Sequence, residues 1–215
     1  GMIDHAGYLY QVDEIIQSVE SDSISAKGKE RLERLKEKHQ VHKNNPDNQD
    51  GKSAFRFEFE DRNGNTVTLN QFKGKYIFID IWATWCGPCK FQIPFMKQLE
   101  KELEGRNIEF LSISVDKPKD KDKWLAMLEE KEMDGHQVIS PDAFNYEMFK
   151  QYDVRSIPRF MVIDPTGKML ISKSRRPSDP VLKIQLTELL DEYDLKKTVF
   201  SGRFPAEVTL VLTRP

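Results

Sequence analysis

A continuous apolar run, Tyr76–Trp82, leads after three residues into the two cysteines of the chain, Cys86 and Cys89. An unbroken apolar strand is typical of a central strand that is covered on both faces. Residues 91–103 then carry apolar side chains at helical spacing. The order strand, turn, helix predicts that Cys86 lies at a helix N-terminus, where unsatisfied amides and the positive dipole end favour a thiolate.

The cysteine count limits what this pair can be. Two cysteines exclude a multi-disulfide scaffold, and a structural disulfide closing so short a loop would restrict the unfolded chain very little. A zinc site would need two more ligands, and the histidines show no metal-type spacing; they are His5, His39, His42 and His136. The sequence therefore favours redox chemistry, with no metal and no cofactor beyond the Cys86–Cys89 disulfide.

Composition excludes several other classes of protein. The 13 Phe, 6 Tyr and 3 Trp argue against a disordered chain, and a net charge of −2 gives no reason to expect nucleic acid as a partner. No apolar run approaches the roughly 18 residues of a membrane span. Gly1-Met2 resembles a tag remnant, so we expect that a signal or lipid anchor was trimmed from a longer protein.

Strand and helix patterns alternate along the chain, which predicts an α/β fold. Residues 1–52 are predicted to form an N-terminal helical extension and linker, and residues 53–193 the α/β domain, closed by an amphipathic helix over residues 180–193. Residues 194–215 are predicted to form a C-terminal tail, with a strand-like alternation over residues 208–212. A charged stretch, residues 116–123, is predicted to be a solvated loop.

Several segments together resemble the thioredoxin superfamily, and within it the TlpA/ResA-like thiol-disulfide oxidoreductases, over roughly residues 53–192. The matching segments are residues 78–90, 93–94, 152–158 and 162–167. The resemblance implies a thioredoxin-like fold, a central mixed sheet flanked by helices, with a TlpA-type insertion around Trp124 and Val138. It implies a protein-disulfide reductase that works through a dithiol and a mixed disulfide.

The resemblance also implies roles for four catalytic residues. Cys86 is expected to attack a substrate disulfide, and Cys89 to resolve the mixed disulfide. Asp80 matches a buried acid that moves a proton for the resolving thiol, and burial would raise its pKa; a carboxylate paired with a lysine is the alternative. Pro158 matches the cis-proline that offers backbone groups to an extended substrate; an ordinary loop proline is the alternative.

Five further residues are expected to bind substrate. Trp85 matches the tryptophan that flanks the cysteine pair, Gly87 leaves the approach to Cys86 open, and Pro88 fits the first helical turn. Ile157 and Arg159 flank Pro158. Arg159 stands where thioredoxins usually place a small residue, which predicts a different choice of partner.

Partners and location follow from the same resemblance. We expect oxidised protein substrates, apocytochrome c or other exported proteins among them, and a membrane or thioredoxin-type electron donor. The expected location is periplasmic or exported, with a membrane anchor outside this sequence; a cytoplasmic location is the alternative. A thiol peroxidase is a competing prediction, although Ile79 stands where the peroxidase pattern Pro-x-x-x-Thr-x-x-Cys needs proline before Cys86. A non-catalytic binding module is a third, and the intact cysteine pair with Pro158 argues against it.

Overall fold

The structure is a computed structural model that describes residues 51–200, apart from the side chains of residues 196 and 198–200. The predicted N-terminal extension and the predicted strand over residues 208–212 lie outside this range. Among the helices of the described range, none combines the length and the hydrophobicity that crossing a bilayer requires.

One mixed sheet forms the centre of the described range. Its strands follow the order β2-β1-β5-β4-β3-β6-β7. The strands are β1 (Glu58–Asp61), β2 (Thr66–Thr68), β3 (Tyr76–Trp82), β4 (Ile108–Ser114), β5 (His136–Ile139), β6 (Arg159–Ile163) and β7 (Met169–Ile171). Strands β3, β4 and β5 run parallel, and β6 lies antiparallel to β3. The predicted α/β class with a central mixed sheet is confirmed.

Helices cover both faces of this sheet. They are α1 (Gly87–Glu102), α2 (Lys121–Glu130), α3 (Glu147–Gln151) and α4 (Pro180–Phe200). The alternation along β3 divides the core, because successive side chains of a strand point to opposite faces. Ile79 belongs to the cluster that contains the buried residues of α2 and α3, and Phe78 to the cluster with Leu99 of α1 and Leu186 of α4. Every residue of β3 is buried, as the apolar run predicts.

Three predicted boundaries differ from the structure. Helix α4 continues to Phe200, so residues 194–200 are helical and the predicted start of the tail at residue 194 is wrong. The sequence pattern over residues 144–152 predicts one helix, whereas the structure divides this segment into a 3-10 turn, Ala143–Asn145, and the short helix α3. The predicted solvated loop over residues 116–123 is also wrong at both ends. Asp116 is buried, and α2 already begins at Lys121.

Candidate active site

Cys86 and Cys89 are joined by a disulfide at the start of α1. Cys86 is the N-cap residue of the helix, and its Sγ accepts a hydrogen bond from the Cys89 N–H at 3.1 Å. Pro88 occupies the first turn, where a missing N–H leaves no helical hydrogen bond unmade. A thiolate formed on Cys86 would keep this contact with the amide end of the helix, which is the environment that lowers the pKa of a thiol.

Pro158 lies at the same end of the central strands as the cysteine pair. The Ile157–Pro158 peptide bond is cis. Strand β6 begins at the next residue, Arg159, which pairs with Ile81 near the end of β3 from which the chain continues to Cys86. Ile157 packs against the core cluster that includes both cysteines. Two segments about 70 residues apart in the sequence therefore meet at one end of strands β3 and β6.

Arg159 is held by the backbone at this end of the strands. Its Nε donates to the Ser172 carbonyl at 3.0 Å, and one Nη donates to the Tyr152 carbonyl at 3.1 Å. The guanidinium is partly buried, and burial lowers its pKa, an effect that the charge of Asp153 opposes. Arg159 therefore braces the segment before Pro158 against β7, which leaves fewer of its donors for a partner.

Exposed aromatic rings lie beside Cys86, which is itself only 5% exposed. Trp85 is 62% exposed, and its ring packs against that of Phe144 with centroids 6.4 Å apart. Phe91, on the first turns of α1, is exposed to the same extent. A Cβ built on Gly87 would meet nothing within 4 Å, so a side chain there would stand in the open approach to Cys86.

Asp80 is buried in the middle of β3, with 7% of its surface exposed. Burial, and to a lesser degree the charge of Glu100, raises its pKa to about 8. Its Oδ1 atom is buried without a hydrogen-bond partner. Among the side chains that the structure describes, no lysine forms an ion pair with Asp80, which argues against the alternative of a lysine-paired carboxylate.

Asp116 is a residue at this site that the sequence analysis missed. It is 1% exposed, and its carboxylate accepts hydrogen bonds from the Thr84 N–H at 2.9 Å, the Thr84 hydroxyl at 2.8 Å and the Ser114 hydroxyl at 2.7 Å. The carboxylate thus fixes the loop that carries Trp85 and Cys86 to the end of β4. Ser114 at the end of β4 and Asp116 two residues later form the polar pair in the sequence that could have pointed to it.

Gln92 is a second missed residue. It is 3% exposed on α1, and its Oε1 accepts a hydrogen bond from the Ser178 N–H at 3.0 Å. The contact ties the cysteine-bearing helix to the segment that precedes α4. The spacing of apolar residues along α1 gives no sign that the polar Gln92 is buried and bound to a distant segment.

No metal-binding arrangement occurs in the described range. Within residues 51–200, no three or more His, Cys, Asp or Glu side chains are grouped so that they could hold an ion.

Comparisons with known proteins agree on one family. The AhpC/TSA family model matches residues 51–171. The thiol-disulfide oxidoreductase ResA of Bacillus subtilis is 30% identical over 123 residues, which are 56% of this chain and 65% of that protein. The ResA of Bacillus thuringiensis subsp. konkukian is 30% identical over 147 residues, 68% of this chain and 77% of that protein. This chain therefore spans slightly less than two thirds of the Bacillus subtilis protein.

Solved structures give the same result. The solution structure of a candidate thiol-disulfide oxidoreductase from Bacteroides vulgatus is similar to this chain, with a TM-score of 0.59 and 40% identity. The match covers 65% of this chain and 89% of that one.

The raised pKa of Asp80 predicts how stability depends on pH. The folded protein keeps a proton on Asp80 up to a pKa of about 8, whereas the usual value is 3.8, so the stability of the wild type falls as pH rises through this interval. Asp80→Asn removes that loss. We expect the oxidised variant to gain stability over the wild type as pH rises, on the order of a few kcal/mol at pH 8, since one pKa unit corresponds to about 1.4 kcal/mol.

Guanidinium unfolding of both oxidised proteins between about pH 4 and pH 8, where the linkage operates, measures this difference. Asp122→Asn, which changes an exposed carboxylate on α2, is the matched control. Parallel stability curves for the wild type and Asp80→Asn would contradict the prediction.

The contacts of Asp116 predict that removing its carboxylate destabilises the protein. Asp116→Ala leaves one amide and two hydroxyl donors without their acceptor, and we expect a destabilisation of about 1–3 kcal/mol. Chemical unfolding followed by tryptophan fluorescence measures it, with Asp122→Ala as the control. An equal effect of both variants would show that Asp116 does not hold the loop.

Proposed function

This chain belongs to the AhpC/TSA family and, within it, to the thiol-disulfide oxidoreductases related to ResA, and we propose that it reduces disulfides in proteins outside the cytoplasm. The observation that carries this proposal is the Cys86–Cys89 disulfide at the N-terminus of α1, beside the cis bond before Pro158. The end of strands β3 and β6 thus presents a redox-active cysteine pair together with backbone groups to which an extended polypeptide can hydrogen-bond.

The proposed reaction begins with the reduced pair. The Cys86 thiolate attacks one sulfur of a substrate disulfide, and the other substrate sulfur leaves as a thiolate that takes a proton. Cys89 then gives its proton to ionised Asp80 and attacks Cys86 Sγ, and the substrate sulfur bound to Cys86 leaves as a second thiolate, which also takes a proton. Two electrons pass to the substrate, and the protein is left with the Cys86–Cys89 disulfide, the form in the structure. A dithiol donor returns it to the reduced form.

The residues around the pair would bind the substrate chain. We assign backbone contacts to Ile157 and Pro158, and apolar contact to the exposed ring of Trp85. Gly87 and Pro88 are exposed beside Cys86, which is itself 5% exposed, and their small size leaves the approach to its sulfur unobstructed. Arg159 contributes less to substrate binding, because two of its N–H donors are hydrogen-bonded to carbonyls of the protein itself.

The relatives support a narrower choice of partners. The resemblance to ResA-like proteins favours exported proteins, apocytochrome c among them, as substrates, and a membrane or thioredoxin-type dithiol as electron donor. We propose a periplasmic or exported location on the same basis, and no cofactor besides the cysteine pair. An alkaline phosphatase fusion to the full-length gene would test the location, and an inactive fusion would favour the cytoplasm.

Insulin reduction by dithiothreitol tests the activity. The wild type should accelerate it, and Cys86→Ser should reduce the rate to that of dithiothreitol alone. Hydrogen peroxide consumption, assayed in parallel, should stay at background. Peroxide turnover without insulin reduction would instead identify a thiol peroxidase, and neither activity would favour a binding module.

The roles of the two cysteines predict a trapped intermediate. Cys89→Ser removes the resolving thiol, so we expect a stable mixed disulfide between Cys86 and the substrate, visible on non-reducing gels and by mass spectrometry. Cys86→Ser is the control and should trap little. Faster alkylation of Cys89 than of Cys86 at neutral pH in the reduced wild type would reverse the assignment.

The reduction potential predicts the direction of electron flow. The spacer Gly87-Pro88 is the one found in thioredoxin, whose potential is about −270 mV, against about −120 mV for the oxidant DsbA. We expect a value near the reducing end, measured by equilibration with glutathione or dithiothreitol buffers. A value more oxidising than about −180 mV, the level of protein disulfide isomerase, would rule out a reductase.

A further inference from the structure

A row of polar residues crosses the centre of the sheet. Asp80 on β3 is in register with Ser112 on β4, and Ser112 is in register with Gln137 on β5. Their exposed fractions are 7%, 2% and 4%. Because these strands are parallel and neighbouring strands lie about 4.8 Å apart, the three side chains point to the same face and follow one another across it.

Helix α1 covers the face on which this row lies. Phe78 and Phe110, two positions before Asp80 and Ser112 on their strands, pack in the core cluster that contains Met96 of α1. The row is therefore enclosed between the sheet and the cysteine-bearing helix. A set of three polar residues in such a place is costly unless their polar groups are satisfied.

Two atoms of the row have no partner. Asp80 Oδ1 and Gln137 Oε1 are both buried without a hydrogen bond. Both are acceptors, and they lie on strands separated by β4, about two strand spacings apart, which is too far for a direct hydrogen bond or for one shared water. Each acceptor therefore needs its own donor, and a buried water molecule with other polar partners can supply it.

A second carboxylate lies near the far end of the row. Gln137 Nε2 donates to the Asp134 carbonyl at 2.8 Å. The next residue, Gly135, lies against Glu100 of α1, whose Oε1 would be 3.5 Å from a Cβ built on that glycine. Glu100 also lines a surface cleft. A partly buried carboxylate that borders a surface cleft therefore lies close to the end of the row opposite Asp80.

The charged groups around Glu100 come from several elements. Asp134, before β5, faces it with like charge, and Lys97 on α1 with opposite charge. Lys97 Nζ in turn contacts the Lys131 carbonyl and Glu132. The cleft adds the charged residues Lys75, Glu104, Arg106, Glu109, Asp194 and Lys197.

We propose that Asp80, Ser112, Gln137 and Glu100 form a proton path, completed by bound water, that connects the cysteine pair with solvent. The proposal rests on the function proposed above. In the resolving step Asp80 takes the proton of the Cys89 thiol while the Cys89–Cys86 bond forms and the Cys86–substrate bond breaks. Asp80 then passes a proton along the water of the row, and Glu100 releases a proton to the cleft. Reduction of the disulfide uses the same path in the opposite direction.

The pKa values of Asp80 and Glu100 suit this exchange of protons. Burial is the main cause that raises the pKa of Glu100 to about 7, and the pKa of Asp80 is about 8. A proton moves readily in either direction between groups of similar acidity near the working pH. Glu100 and Asp80 also influence each other, since a charge on Glu100 raises the pKa of Asp80.

The test measures how fast the full chain resolves a mixed disulfide between Cys86 and a thiol reagent, by stopped flow across the pH range. Ser112→Val and Gln137→Met replace the two central members by apolar side chains. We expect each to slow resolution about tenfold, less than the 10²–10⁴-fold typical of losing a general acid or base outright. Ser112→Ala is the milder second variant in case valine disturbs the sheet.

Glu100→Gln has a matched control on the same helix. Glu102→Gln also removes a carboxylate, one that pairs with Lys183 at the surface and lies outside the row. Glu100→Gln should remove the step near pH 7 from the rate profile and lower the pKa of Asp80, because a like charge is gone. Glu102→Gln should change neither. Equal effects of the two variants, or wild-type profiles for Ser112→Val and Gln137→Met, would overturn the proposal.

A second measurement needs no substrate. The carbonyl stretch of protonated Asp80 in the oxidised protein, identified by its loss in Asp80→Asn, reports hydrogen–deuterium exchange at this carboxyl by infrared spectroscopy. Exchange should be slower in Ser112→Val and Gln137→Met. If insulin reduction fails but exchange depends on the row, the proposed function is wrong and the path stands. If insulin reduction proceeds and the exchange rate at Asp80 is the same in the wild type and both variants, only the proposed path is wrong.

Discussion

The direct passage from β3 into α1 is the constraint on which the site depends. Strand β3 is buried along its whole length between β4 and β6, so the direction in which it ends is fixed by its neighbours. Only the short loop ending at Cys86 separates it from α1, and Asp116 holds that loop through Thr84. The helix amides therefore face the Cys86 sulfur, where they stabilise negative charge.

The same strand imposes a cost that the proposed chemistry would use. A carboxyl group in the middle of a buried strand is kept neutral by its surroundings, and Asp80 accordingly has a raised pKa. A carboxyl group with a pKa of about 8 exchanges its proton near neutral pH, because its ionised form can receive a proton from a thiol and its protonated form can return one. The polar neighbours of Asp80 across the sheet, Ser112 and Gln137, give this buried proton a direction in which to leave.

The surface proposed to bind substrate, beside Pro158, depends on contacts between distant segments. Strand β6 lies antiparallel to β3, which brings Pro158 to the end of β3 that leads to Cys86. Arg159 fastens this surface by donating to the carbonyls of Tyr152 and Ser172, and the Tyr152 hydroxyl accepts from the Phe55 N–H at 2.7 Å. A side chain expected to meet a partner is thus largely occupied in holding the surface together.

The sequence by itself determined the local features of this protein. An apolar run of strand length and a helical spacing after it placed Cys86 at a helix start and Asp80 inside a buried strand, because periodicity and burial follow from neighbouring residues alone. Only the tertiary structure decided what depends on register and on packing between distant segments. The burial of Asp116, the alignment of Asp80 with Ser112 and Gln137, and the approach of Glu100 to Gly135 belong here. No local pattern encodes them, since pairing between strands joins residues that lie far apart in the chain.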